Sequence, residues 1–196
     1  MGLHEAHKAM LAAIAVAALA VLFQLGGEPL RSGFAWDRGA LDQGEFWRLA
    51  TGHFVHLGWS HLALNVAGLS LVAWITGKTF SVLQWLAIAA LTLAVIDAGF
   101  WFLYDGLDWY VGLSGLLHGL LVAGLFVGTI RGDRESMALG ALVIGKLAWE
   151  QVVGPLPGSE STSGGAVIVD AHLYGAVGGL LGALVFWRRV RSDASI

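Results

Sequence analysis

Three short polar motifs combine residue types that could carry hydrolytic chemistry: Gly112-x-Ser114-Gly115, His61-x-x-x-Asn65 and Ala171-His172. A serine hydroxyl becomes a useful nucleophile when an adjacent base accepts its proton, and an imidazole suits that task near neutral pH. Histidine and asparagine side chains also donate hydrogen bonds, which an oxyanion needs. The motifs therefore indicate a serine hydrolase in which Ser114 is the nucleophile, His172 the base, and His61 and Asn65 oxyanion donors.

The composition predicts a membrane setting for these motifs. Of the 196 residues, 57% are hydrophobic and 13% are charged, and the mean hydropathy is +0.72. Soluble domains carry about 25% charged residues, so too little polar surface is present to cover a soluble fold. The net charge of −3 gives no reason to expect a nucleic-acid partner, and the lack of cysteine excludes disulfides and cysteine-based metal or redox chemistry.

Apolar runs predict six membrane-spanning helices in one all-α domain covering residues 1–196. The runs cover residues 9–25, 58–76, 80–103, 111–130, 137–153 and 167–187. Most approach the length of about 20 residues that a bilayer requires. We expect the first run to be a retained span, because the bulky residues that follow it offer no signal-peptide cleavage site. The aromatic and charged residues of the 26–57 connection suit the lipid headgroup region.

Basic residues predict the orientation of the spans. The side that holds both termini carries most of them: Lys8, Lys78, Arg131, Arg134, Arg188, Arg189 and Arg191. The opposite side carries Arg31, Arg38 and Arg48. The positive-inside rule then places both termini in the cytoplasm. Spans two, four and six enter from the outer side, so His61, Ser114 and His172 lie at a similar shallow depth below the outer surface.

Glycines offer a way to bring Ser114 and His172 together. Two pairs lie four residues apart, Gly115 and Gly119 in span four, and Gly175 and Gly179 in span six. Small residues at this spacing let two membrane helices pack closely. Gly112 and Gly115 also leave the Ser114 hydroxyl accessible, and the N-terminus of span four can stabilise developing negative charge.

Several alternatives compete with this interpretation. An intramembrane serine often serves only packing, and a histidine near a helix end can be satisfied by water. A metal site on His53, His56 and His61 lacks a metal-binding motif and a nearby intramembrane carboxylate, so we expect no metal. Asp170, at the membrane edge, is the sole carboxylate found within one turn of His172, which favours a Ser–His dyad over a triad.

Span five contains Lys146 and Glu150, which are four residues apart and can pair along a helix. One interpretation is an ion pair whose ends reach the outer surface. Asp97 in span three is expected to be structural, bonded to a neighbouring helix.

Together these motifs resemble the rhomboid family of intramembrane serine proteases. The likeness also includes Trp47-Arg48 in the first loop and Gly175-x-x-x-Gly179 after His172. It implies a six-helix core, an amphipathic first loop that dips into the bilayer, and no cofactor. It assigns nucleophile and base to Ser114 and His172, and oxyanion stabilisation to His61, Asn65 and the Ser114 backbone. Because span five borders the lateral opening in this family, Lys146 and Glu150 become candidates for a substrate gate.

The compact chain and the His118 of Gly-Leu-Ser-Gly-Leu-Leu-His-Gly look like the rhombosortase branch of that family. Many rhomboids have an aromatic residue where this chain has His118. His118 could stack on His172, tune its pKa or simply fill the space of that aromatic residue, and we expect the stacking. The branch implies substrates with a C-terminal Gly-Gly, a transmembrane helix and a basic tail, cut in the bacterial inner membrane. The expected partners are a membrane-anchored protein substrate and the bilayer, without nucleic acid or an obligatory protein partner.

Three competing functions follow from the same sequence. A general rhomboid protease would take other substrates. A non-catalytic rhomboid-like protein would hold membrane clients, but such proteins commonly lack one of the two residues that Ser114 and His172 represent here. A small transporter would have polar residues across the depth of the bilayer or an internal repeat, whereas the polar residues here lie at one level.

Overall fold

The computed structural model describes residues 3–192, which form ten helices and one two-stranded sheet. Residues 1, 2 and 193–196 of the expected 1–196 domain lie outside the described residues. The long helices are α1 (Leu3–Leu25), α5 (Trp59–Thr76), α6 (Val82–Phe102), α7 (Ser114–Ile130), α8 (Arg134–Val152) and α10 (Val169–Ser192). The short elements are α2 (Gly27–Phe34), β1 (Trp36–Asp37), α3 (Arg38–Asp42), α4 (Arg48–Thr51), β2 (Trp109–Tyr110) and α9 (Ser159–Ser163).

Each predicted span coincides with one long helix, and most of the ends differ by a few residues. Within the described residues, four helices are long and apolar enough to cross a membrane, namely α1, α5, α6 and α10. Helix α7 is apolar but has 17 residues, and α8 carries four charged residues that lower its hydropathy. The helical membrane bundle is thus confirmed, while the number of six spans stays a prediction.

Local sequence explains where α6 and α8 begin. Ser81 and Gln84 form a capping box, in which each side chain accepts a hydrogen bond from the other's backbone N–H. Asp133 caps α8 by accepting from the backbone N–H groups of Glu135 and Ser136. Such caps satisfy donors that have no partner within the helix. The capping residues Ser81 and Asp133 thus fix the positions at which the two helices begin.

Helices α7 and α10 touch backbone to backbone. A methyl group at Gly175 would collide with the carbonyl group of Gly115, and one at Gly179 would collide with that of Gly119. Side chains at these positions would force the two helices apart. The close approach predicted from the glycine spacing is therefore present, and it sets the distance between the helices that carry Ser114 and His172.

The first loop is organised by Arg48, which is buried at 7% exposure. Its Nη1 donates to the carbonyl oxygens of Ser32 and Ala35, both at 2.8 Å, and its Nε donates to Glu45 at 2.6 Å. The Trp47 indole N–H donates to the Gly33 carbonyl at 3.2 Å, while half of the Trp47 side chain stays exposed. These bonds join α4 to the end of α2 and give the loop a fixed shape.

A short antiparallel ladder connects this loop to the segment before Ser114. Trp36 of β1 pairs with Tyr110 of β2, and the Gly112 backbone N–H donates to the Gly52 carbonyl at 3.1 Å. The Arg38 guanidinium donates to the carbonyl oxygens of Phe100 at 2.6 Å and of Leu107 at 3.0 Å. The loop therefore supports both the end of α6 and the entry into α7.

Candidate active site

The structure brings Ser114 and His172 into hydrogen-bond contact. Ser114 is the first residue of α7 and His172 lies in the first turn of α10. The distance from His172 Nε2 to Ser114 Oγ is 3.0 Å. His172 is buried at 5% exposure, so the imidazole is held by protein groups on most sides. This separation is within the range over which a base can accept the proton of a serine hydroxyl.

A carboxylate lies on the other side of the His172 ring. Glu150 Oε2 from α8 is 3.0 Å from His172 Nδ1, and Glu150 is buried at 3% exposure. Asp170 was the sole carboxylate expected near His172 from the sequence, and the Glu150 contact corrects that expectation. A carboxylate accepts a hydrogen bond, so Nδ1 carries the proton and Nε2 is left to accept from Ser114. The three residues thus form a connected Ser–His–Glu arrangement from three helices.

Lys146 and His118 complete the polar network around His172. Lys146 Nζ lies 2.7 Å from Glu150 Oε1 and 3.0 Å from His118 Nε2. His118 stacks on His172 with ring centroids 4.2 Å apart and an interplanar angle of 21°. The His118 Nδ1–H donates to the Ser114 carbonyl at 2.7 Å. The expected ring stacking is thus present, and the His118 side chain also contacts the backbone of the serine.

The Lys146–Glu150 pair differs from the surface ion pair considered for it. Glu150 is buried, and the Lys146 side chain is 29% exposed. Both residues line the same cavity as Ser114. A role as a substrate gate stays a prediction.

His61 and Asn65 lie beside the serine on one face of α5. The backbone N–H of Leu57 donates to His61 Nδ1 at 3.4 Å, which leaves the proton on Nε2. The buried Nδ2 group of Asn65 has no hydrogen-bond partner among the described residues. Both residues therefore offer donors in the cavity that also contains Ser114. Such donors stabilise charge that develops in a transition state.

Gly112 allows this close approach. Its φ angle is +124°, a conformation that residues with a side chain rarely adopt. A Cβ atom there would lie 2.7 Å from His61 Cε1. The Gly112 carbonyl accepts from the buried hydroxyl of Tyr110 at 2.7 Å, a contact that the sequence analysis did not predict. Burial raises the pKa of the Tyr110 hydroxyl, which therefore stays protonated as a donor.

A cavity of about 590 Å³ lies at the ends of α5, α7, α8 and α10 and is lined by polar residues from these four helices. Apolar side chains, including Leu57, Leu64, Val111 and Leu156, form much of its wall. The polar residues that line it include His61, Asn65, Ser114, His118, Lys146, Glu150 and His172, together with Ser159, Thr162 and Ser163 around α9. The cavity thus gives the serine access to a ligand with apolar surroundings.

Two of the three histidines considered for a metal site, His53 and His56, instead contact other protein groups. His53 Nε2 lies 3.3 Å from Asp97, and His56 Nδ1 donates to the Phe54 carbonyl at 3.1 Å. Asp97 was expected to bond to a neighbouring helix, but its partner His53 lies in the connection before α5. Between residues 3 and 192, one group has ligand atoms close enough to share a metal ion, namely His118, Glu150 and His172. The Lys146 ammonium lies among these three ligand atoms, so a metal would have to displace it.

Comparisons with known proteins identify a family for this chain. A profile described as the Rhomboid domain matches residues 43–189. The chain is also 27% identical over 139 residues to a Bacillus subtilis (strain 168) protein named "Putative rhomboid protease YdcA". The match covers 70% of this chain and 66% of that relative, just under two thirds of its length. The range of this chain that the profile matches, residues 43–189, contains Ser114 and His172.

Proposed function

Because the chain belongs to the rhomboid family and is a multi-pass membrane protein, we propose that it is an intramembrane serine endopeptidase. The observation that carries the proposal is the 3.0 Å separation between His172 Nε2 and Ser114 Oγ. Ser114 is the nucleophile and His172 is the base. The substrate is a membrane-anchored protein, cut near the outer-facing end of its transmembrane segment.

The reaction proceeds through an acyl-enzyme. Ser114 Oγ attacks the peptide carbonyl carbon while His172 Nε2 takes the hydroxyl proton. The tetrahedral adduct collapses as His172 gives this proton to the leaving amide nitrogen, and the C–N bond breaks. Water then attacks the ester carbonyl carbon and loses a proton to His172. The second adduct releases the carboxylic acid as the C–Oγ bond breaks and His172 returns the proton to Ser114 Oγ. No group outside the protein, the peptide and water is required.

The oxyanion of each tetrahedral adduct is stabilised by donors from two helices. His61 Nε2–H and the Asn65 amide come from α5, and the backbone N–H of Ser114 comes from the start of α7. First-turn N–H groups have no acceptor within their own helix, and the unpartnered Asn65 amide supports its role as a donor. These groups are in place before the charge forms, which is the arrangement that lowers the barrier.

The proposal extends to substrate and location. The apolar wall of the cavity suits an apolar peptide segment entering from the bilayer. Similarity to the rhombosortase branch favours substrates with a C-terminal Gly-Gly, a transmembrane helix and a basic tail. The same similarity favours the bacterial inner membrane, and the distribution of basic residues favours an orientation with both termini cytoplasmic and the cavity open to the outer side.

A fluorophosphonate probe tests this function without a known substrate. Purified protein in detergent is labelled as wild type, Ser114→Ala and His172→Ala. We expect labelling of the wild type, none of Ser114→Ala, and a decrease of at least about 10²-fold in rate for His172→Ala, the contribution typical of a general base. Folding of each variant is checked by thermal unfolding.

Labelling that persists in Ser114→Ala would contradict the assignment of the nucleophile. A folded wild type that neither labels nor cleaves membrane-anchored test substrates would overturn the protease assignment and favour the holding of membrane clients.

A further inference from the structure

We propose that Glu150 and Lys146 are positioning residues for His172, with Glu150 as the third member of a Ser–His–Glu triad and Lys146 as its counter-ion. The inference rests on the proposed protease function. It goes beyond the Ser–His pair, because it assigns the Lys146–Glu150 ion pair of α8 to the chemistry of α7 and α10.

The two oxygens of the Glu150 carboxylate contact different partners. Oε2 lies 3.0 Å from His172 Nδ1 and Oε1 lies 2.7 Å from Lys146 Nζ. Each oxygen therefore has one specific partner. Accepting from Nδ1–H fixes the tautomer in which His172 Nε2 faces Ser114 as a proton acceptor. The same carboxylate stabilises the imidazolium that forms when His172 takes the proton of Ser114. The ionised carboxylate of a Ser–His–Asp triad has the same role.

The buried charge of Glu150 requires a partner, because burying an ionised carboxylate alone costs free energy. Glu150 is 3% exposed. Lys146 supplies the opposite charge one helical turn away. A second contact of Lys146, His118 Nε2 at 3.0 Å, is an acceptor, because His118 Nδ1–H already donates to the Ser114 carbonyl. The ammonium is therefore held by two acceptors and keeps Glu150 ionised.

Two opposite charges act on His172. Lys146 Nζ lies 3.4 Å from His172 Nδ1, and both atoms carry hydrogen, so this contact is electrostatic. The Lys146 ammonium repels a positively charged imidazolium at His172, whereas the Glu150 carboxylate attracts it. His61 faces His172 from α5, His118 faces it from α7, and Asp170 lies two residues before it on α10. Changes at Glu150 and Lys146 should therefore alter the pH dependence of Ser114 reactivity in opposite directions.

The test measures the rate of fluorophosphonate labelling of Ser114 from pH 4.5 to 9 for the wild type, Glu150→Gln and Lys146→Met. Glutamine keeps the shape of the side chain and removes its charge, and methionine keeps most of the length of lysine. We expect Glu150→Gln to lower the maximal rate by about 10²-fold and to move the acid limb of the profile to lower pH. Lys146→Met is expected to move that limb to higher pH.

Control variants separate positioning from packing. Glu135→Gln removes an exposed carboxylate from the same helix and should change neither the rate nor the profile. Glu150→Asp keeps the charge and should retain more activity than Glu150→Ala. A merely structural ion pair would lower the thermal midpoint for both charge-removing variants and leave the pH of the acid limb unchanged.

Two outcomes would overturn the inference. One is a folded Glu150→Gln protein labelled within about threefold of the wild-type rate. The other is a pair of acid limbs that stay fixed or move the same way. If Glu150→Gln does not fold, the direction of the Lys146→Met shift decides the question. Failure of the protease function would look different, because the wild type itself would then show no labelling that depends on Ser114.

Discussion

Glu150 Oε2 and His172 Nδ1 are 3.0 Å apart, although the two residues come from different helices and lie 22 positions apart in the chain. Ser114 occupies the opposite side of the same imidazole. The base is thus held between a carboxylate and a hydroxyl, each on its own helix. Relative movement of α7, α8 or α10 would break one of these bonds, so the packing of the helices is part of the site.

Replacement of Gly179 by alanine tests that dependence. The added methyl group would collide with the Gly119 carbonyl, and overpacking of this kind costs about 1–3 kcal/mol. We expect a lower thermal midpoint in detergent and a more than tenfold slower labelling of Ser114, because α10 must move away from α7.

Gly140→Ala is the matched control, since nothing lies within 4 Å of a Cβ atom at that position of α8. It should preserve both quantities, and alanine is the better helix former. A Gly179→Ala protein that labels like the wild type would show that the contact does not control the site.

Asn65→Ala should separate activity from stability. The Asn65 amide nitrogen is buried without a partner among the described residues, so its removal takes away no existing hydrogen bond from that group. Loss of one oxyanion donor typically slows an acyl-transfer reaction by about 10²–10³-fold. We expect a decrease in labelling rate in this range and a thermal midpoint close to that of the wild type.

Ser70→Ala, an exposed change on the same helix, provides the comparison for Asn65→Ala. Equal labelling rates for the two variants would argue against Asn65 as an oxyanion donor.

The lack of cysteine allows a direct test of orientation. Asp105→Cys and Lys78→Cys each place a single thiol at an exposed position, on opposite sides of the predicted topology. A membrane-impermeant maleimide should label Asp105→Cys in intact spheroplasts, and should label Lys78→Cys only after permeabilisation. The reverse pattern would place the termini on the outer side. Denatured samples of both variants show that each thiol can react.

Acid should destabilise the protein partly through His56. Burial, reinforced by the neighbouring His61, lowers the pKa of His56 from 6.5 to about 3. The unfolded chain therefore binds a proton that the folded protein excludes. The resulting stability is present above pH 6.5 and is lost as the pH falls from 6.5 towards 3.

Thermal midpoints measured across this pH range should decrease less steeply for His56→Gln than for the wild type, since glutamine has no such proton to bind. Parallel curves for the two proteins would show that His56 does not contribute to the acid sensitivity.

Sequence spacing predicted which helices carry the site residues. It predicted less well which faces of those helices pack against one another. The glycine pairs at Gly115 and Gly175 indicate close packing directly, because the absence of a side chain is itself the contact. Glu150 was paired with Lys146, since residues four apart share a helix face whatever the tertiary fold. Its second contact, with His172, depends on the rotation of α8 about its axis. The available signal was a carboxylate in span five that the predicted topology places near the outer end, as it does His172.

His53 and Asp97 illustrate the same limit. Asp97 was expected to bond to a neighbouring helix, but its partner, His53, lies in the connection before α5. Irregular segments follow tertiary contacts rather than a periodic pattern. The two-residue ladder of β1 and β2 was likewise not predicted, because two residues are too few to show the alternation of a strand.

That ladder makes the first loop and the entry to α7 one mechanical unit. Trp36 pairs with Tyr110, whose hydroxyl holds the Gly112 carbonyl two residues before Ser114. A detergent, lipid or truncation that pulls the loop away from the bundle would therefore misalign the nucleophile while the long helices remain folded. For anyone purifying this protein, an intact helical spectrum is no measure of the competent fraction, which has to be counted by titrating the serine itself.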